Sequence, residues 1–317
     1  MKNIRLLSLI TVLILCVTFG INAQTKIDES FTGITKIDMT TASGNCIVKK
    51  ASGSKVDVSL EHTFGDDYNP VIEKNGNKLV IKEERKRRSW NGKATWVITI
   101  PDGIDMKYNT GSGNFEASDL DLELSINTGS GNLDLVNMNG DISANSGSGN
   151  MDLNEFSGDV HVNIGSGNLD LSEVSGSVTL NCGSGNIKLD DVKADIGAHV
   201  GSGNIRGYKV VLTGTSDFNS GSGNVRVTLT ESPKHNISLN SGSGGAKLDL
   251  GGNDFNGTVI MTANKKNGSI SAPFKFDNVE EIKKDGNNVQ IKKTAKLGSS
   301  DVEIKIGTGS GSAEISK

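Results

Sequence analysis

One tetrapeptide governs what this chain can fold into. Gly-Ser-Gly-Asn begins at Gly111, Gly129, Gly147, Gly165, Gly183, Gly201 and Gly221; the first five steps are eighteen residues, the next is twenty, and a further twenty-one leads to the variant Gly242-Ser243-Gly244-Gly245. Outlying versions, Ala42-Ser43-Gly44-Asn45 and Gly309-Ser310-Gly311-Ser312, stand near the two ends. A fixed period of this kind marks a solenoid, in which each repeat is one coil that buries its apolar stripe only by stacking on its neighbours.

Within each coil, counted from the first glycine, apolar residues fall at positions 5 and 7, at 10, and at 14 and 16, as in Leu169, Leu171, Val174, Val178 and Leu180. Two stretches of period two are two short strands with alternate side chains inward, joined by a corner near position 10. No helical period is present. Glycine at positions 1 and 3 is expected to supply the positive φ of a sharp turn. The asparagine that follows, Asn114, Asn132, Asn150, Asn168, Asn186, Asn204 and Asn224, is expected to stack into an amide ladder at about 4.8 Å per coil. A second column, two residues before each turn, holds Asn109, Asn127, Asn145, Asn163, Asn181, His199, Asn219 and Asn240. The expected fold is all-β, a single-stranded β-solenoid (β-helix) of right-handed sense with about 18-residue coils and irregular flanking coils. A hexapeptide helix fails because its apolar residues would recur every six positions, and a calcium-binding nonapeptide roll fails because its turn aspartate is missing.

The chain divides accordingly. Residues 1–23 form a signal peptide, with Lys2 and Arg5 ahead of an apolar stretch from Leu6 to about Phe19. That stretch is too short for the roughly 18 or more apolar residues of a membrane span. Residues 24–50 make a first coil, 51–105 a strand and hairpin insertion or wider coils, 106–250 the regular repeats, and 251–317 irregular coils and a cap. The expected location is outside the cytoplasm: periplasm, cell surface or extracellular. The whole chain carries a formal charge of −4, and loss of Lys2 and Arg5 makes the mature part more negative, which argues against nucleic acid as a partner. Cys46 and Cys182 lie in different columns and are expected to be free thiols, Cys46 buried and Cys182 exposed.

The segment Val97-Ile98-Thr99-Ile100-Pro101 leading into Gly-Ser-Gly-Asn turns, together with Asn267-Gly268-Ser269-Ile270 followed by Ser271-Ala272-Pro273-Phe274, resembles a family of bacterial "putative adhesins" with β-strand repeats, related to the head-GIN adhesin group. The resemblance spans most of the mature chain and implies an extracytoplasmic β-solenoid with an adhesive or scaffolding role.

Two features carry candidate chemistry. The outward column at position 6 runs Glu116, Asp134, Asp152 and Asp170 and then reverses sign to Lys188, Arg206 and Arg226. A second acidic column at position 9 holds Asp119, Glu155, Glu173 and Asp191. Stacked carboxylates repel unless a cation lies between them, so a weakly held divalent cation is the ligand these columns suit; a solvated face is the plainer reading. The other feature is a basic and aromatic patch, Arg85, Arg87 and Arg88 with Trp90 and Trp96, suited to an anionic glycan by charge and stacking, or to covering the solenoid end. No cofactor is expected and no catalytic residue is assigned, because repetition supplies carboxylates in every coil whereas an active site breaks the repeat. The expected function is a non-enzymatic exported solenoid that binds a protein or glycan of the cell envelope or host surface; the alternatives are a carbohydrate-active β-helix enzyme and a self-assembling structural solenoid.

Overall fold

The structure, a computed structural model, describes residues 25–85, 92–283 and 289–317. The proposed signal peptide lies outside the described residues. Among those described there is no helix, and twenty-five strands run from Thr25–Thr32 to Ser312–Ser316. No helix is long and apolar enough to cross a membrane.

The middle of the chain is a parallel stack. Phe115, Leu133, Met151, Leu169, Ile187, Ile205, Val225 and Ala246 pair in succession, each with its counterpart in the next coil. On the second face Leu124, Ile142, Val160, Val178 and Ile196 do the same. Leu169, Leu171, Val174, Val178 and Leu180 are at most 1% exposed, so each coil contributes one thin apolar layer and the layers merge into one core.

Stacking, more than backbone torsion, explains the turn glycines. A Cβ on Gly165 would sit 2.6 Å from the Gly147 carbonyl oxygen, and one on Gly167 would sit 1.9 Å from that of Gly149. Only the third-position glycines Gly149, Gly167, Gly185 and Gly203 combine this crowding with φ of 142 to 147°; the first-position glycines do not take positive φ, contrary to expectation. The left-handed corner lies instead at position 9, on Asp119, Asn137, Glu155, Glu173, Asp191 and Lys209, with φ of 52 to 62°. Non-glycine residues pay about 1–2 kcal/mol for that conformation. The coil accepts the cost because this residue drops out of the strand pairing and re-aims the chain, as a bulge does.

The first asparagine column works differently from a plain amide stack. The backbone N–H of Asn132 donates to Asn114 Oδ1, and the pattern repeats through Asn150, Asn168, Asn186, Asn204 and Asn224 to Gly245, at 2.9–3.1 Å. Each side chain thus caps a turn N–H in the next coil. Amide-to-amide bonds are added at Asn186, Asn204 and Asn224. The second column is a true side-chain ladder from Asn109 to Asn181, with Nδ2 to Oδ1 distances of 2.9–3.2 Å.

Chain order and stacking order part company at both ends. Lys36–Thr41 lies between Ile104–Thr110 and Lys78–Arg85, and Asn45–Lys50 is paired with both Phe115–Ser130 and Ala94–Ile100. Residues 36–50 are therefore inside the stack, with part of the 51–105 segment outside them, while Thr25–Thr32 pairs with Lys55–His62 at the outer edge. The C-terminal coil is intercalated in the same way: Glu303–Thr308 lies between Ile237–Ser241 and Gly257–Asn264, and Ser312–Ser316 between Ala246–Asp249 and Ser269–Ser271. Antiparallel strands then cover the outermost coils: Lys55–His62 on Ala94–Ile100, Tyr68–Asn75 on Lys78–Arg85, and Val289–Leu297 on Gly257–Asn264. Such cover protects sheet edges from pairing with other chains.

Candidate functional site

The sequence at positions 17, 18 and 1 of each coil builds a groove. Position 17 points outward and carries the second asparagine column; position 18 points inward; position 1 is a glycine with no side chain. A trough of about 1260 Å³ results, running across the coils from Thr40 to Gly242. One wall is the amide ladder. Its floor changes along the axis, from Thr110, Thr128 and Ser146 to the apolar Ile164, Cys182 and Val200 and then to Ser220. Asn127 and Asn145 each spend one N–H and one acceptor site on their ladder neighbours and keep one of each for a ligand, whereas Asn163 gives its second N–H to His161 Nε2 at 3.1 Å; the coils lie about 4.8 Å apart along this wall.

His199 is where the ladder is interrupted. Its Nδ1 accepts from Asn219 Nδ2 at 3.1 Å, which leaves the proton on Nε2, 3.2 Å from Asp217 Oδ2. Cys182, one coil back, points the other way, its Sγ donating to the Gly167 carbonyl. Strand alternation therefore separates this thiol from the imidazole. Cys182 is 3% exposed, not exposed as expected, because position 18 turns inward; burial raises its pKa. Cys46 is also buried, and both thiols are free.

Asp134, Asp152 and Asp170 stand in direct register on the opposite side of the turn, continuing to Lys188, Arg206, Arg226 and Lys247. A groove of about 490 Å³ lies between the basic half of this column and Asn168, Asn186, Asn204 and Asn224. Among the described residues no group of three or more His, Cys, Asp or Glu side chains is placed to hold a metal ion. The Asp152 carboxyl is raised above its ordinary pKa by partial burial first and then by Asp170 and Asp134. The folded chain therefore holds this proton more tightly than the unfolded chain, so the charge is a cost at neutral pH that disappears as pH falls through the raised carboxyl range. Asp152→Asn is expected to raise the melting temperature of dilute protein at pH 7 by about 1–2 °C, with the gain closing toward pH 4; a thermal melt series across that range checks it.

Of the basic and aromatic patch, Trp96 and the Arg85 backbone fall within the described residues. Arg87, Arg88 and Trp90 lie outside the described residues, and the Arg85 backbone pairs with Tyr68. Trp96 is fully buried, so it cannot stack on a glycan. Its strand alternates inward at Ala94, Trp96, Ile98 and Ile100, and the indole N–H donates to Glu83 Oε1 at 2.9 Å. Glu83 also accepts from the Tyr68 hydroxyl at 3.1 Å and from the Ala42 N–H at 2.7 Å. This carboxylate hub ties the intercalated coil to the outer one. Nothing in its local sequence announced it, since its three donors come from three separate segments. The groove's one signal in the sequence is the run of asparagines beside a column of glycines.

A family model described as Toastrack DUF4097 matches residues 34–281. Similar solved structures include a "putative lipid binding protein" from Parabacteroides distasonis, 14% identical over 93% of this chain and 97% of that one with a TM-score of 0.44. A "putative adhesin" from Parabacteroides merdae is 12% identical over 93% and 96%, TM-score 0.43. Another, from Bacteroides fragilis, is 13% identical over 92% and 97%, TM-score 0.35. The sequence matches no curated protein.

Proposed function

Because the chain belongs to the Toastrack DUF4097 family, we propose that it is an exported, non-enzymatic binding scaffold that holds an extended polymer, a glycan of the envelope or host surface, along its asparagine-walled groove. The observation that carries this reading is that the trough crosses successive coils along the stacking axis while its wall repeats the same amide from Asn109 to Asn181. A linear polymer can meet such a wall in step, many weak hydrogen bonds adding along its length. Catalysis asks for a locally unique acid, base or nucleophile, and the wall chemistry is instead periodic. The right-handed sense of the coils and kinship with the head-GIN group belong to the same reading.

The test is retention of the mature protein on an array of neutral and uronic-acid polysaccharides. Asn127→Asp with Asn145→Asp removes two outward donors from the wall and is expected to weaken retention about tenfold or more. Asn150→Asp, in the other ladder, is the control and should leave it unchanged. Equal retention of groove variant and control, or no retention of the unmodified protein by any polysaccharide, would overturn the proposal.

A further inference from the structure

The position 6 column has an order that a merely soluble surface does not need. Read along the stack it is Glu116, Asp134, Asp152, Asp170, then Lys188, Arg206, Arg226, Lys247, every member in register with the next. Like charges directly opposite on neighbouring strands destabilise a sheet, and mixing the two signs would have removed the penalty. Segregating them creates one acidic and one basic half of equal length. Among the described residues, Lys188, Arg206 and Arg226 form no ion pair within the chain; Lys247 alone of the basic half is paired, 2.7 Å from Glu314.

We propose that this face is a self-recognition surface, on which two copies of the chain meet about a two-fold axis that runs along the strand direction between the Asp170 and Lys188 coils. Such an axis lies in the interface and inverts the stacking direction while keeping each strand lane opposite its own copy. Asp170 then faces Lys188 of the second copy, Asp152 faces Arg206, Asp134 faces Arg226 and Glu116 faces Lys247, each pair occurring twice. No other placement of a two-fold axis along this lane gives opposite charges at all eight positions. The adjacent outward lane, two residues further on, points to the same occupant. It carries Val136 and Tyr208, 36% and 52% exposed, two of the three exposed large apolar residues among those described. In the dimer Val136 meets Thr228 and Tyr208 meets Asn154, so both leave water. The surface is distinct from the asparagine-walled groove, and its pairing does not depend on that groove holding a polymer.

Sedimentation equilibrium of the mature protein tests this. A dimer is expected at low ionic strength, weakened about tenfold or more in roughly 0.5 M salt, where exposed ion pairs are screened. Asp152→Arg alone and Arg206→Asp alone each set like charges against the partner and should weaken association about tenfold or more. Both substitutions relieve like-charge stacking within one chain, so they should fold; circular dichroism checks that. Asp152→Arg with Arg206→Asp in one chain restores opposite charges at both contacts and should return the dimer to within a few-fold of its original strength. A protein that is monomeric at low salt, or a double variant as weak as the singles, would overturn the proposal. Binding of inorganic polyphosphate to a monomer through the basic half would do the same and reassign that half to a polyanion.

Discussion

Gly185→Ala is expected to cost more than about 4 kcal/mol and to prevent the central coils from stacking. The added Cβ would lie 1.7 Å from the Gly167 carbonyl oxygen, at a φ of 147°. That oxygen is backbone, fixed by the coil behind it, and cannot move aside as a flexible side chain would. The conflict is local but its consequence is not, because a solenoid coil is stabilised mainly by its nearest neighbours, and opening one interface exposes the core of both. Gly53→Ala is the matched control: nothing lies within 4 Å of its Cβ and its φ is unremarkable, so stability should be unchanged or slightly raised. Urea unfolding followed by circular dichroism distinguishes the two. A Gly185→Ala protein as stable as the control would mean that the coils are not as closely stacked as described.

Trp96→Ala is the second large effect, with an expected loss of about 3–5 kcal/mol. The indole is fully buried among the outer coils and donates to Glu83. Trp96→Phe separates the two contributions. It keeps much of the apolar volume but leaves Glu83 with the Tyr68 and Ala42 donors only, and should cost about 1–3 kcal/mol. Melting temperatures of both variants measure the difference, and tryptophan emission reports whether the remaining Trp90 changes environment. Were Trp96 an exposed ligand contact, Trp96→Ala would leave stability nearly untouched.

The regular part of the chain was legible because repetition makes one coil's pattern speak for all. Leu169, Leu171, Val174, Val178 and Leu180 were expected inward from spacing alone, and they are buried. The asparagines at 114 to 224 are expected to link coils amide to amide, and such bonds form at Asn186, Asn204 and Asn224, but along the whole column the recurring bond is to a backbone N–H of the next turn. Side-chain periodicity shows that a column exists, not which of its atoms meet. The tryptophans show the opposite limit. In a short charged segment next to Arg85, Trp96 looked like half of a binding patch, but strand alternation turned it inward, and its partners Tyr68 and Glu83 come from a hairpin whose pairing no local pattern encodes.

What the sequence by itself determined is the coil: its period, its inward residues, its glycine turn and its two asparagine columns. These follow from constraints that act within one repeat or between identical repeats, so they recur and can be read. Tertiary structure alone decided the order of coils at the two ends. Lys36–Lys50 and Glu303–Ser316 are threaded between coils that are distant from them in sequence, because a parallel pairing specifies only matching strands and buried faces, and several coils satisfy that equally until the whole stack is assembled. The groove and the divided charge column are products of the same stacking: each is made of single residues per coil that acquire meaning only when the coils are laid in register.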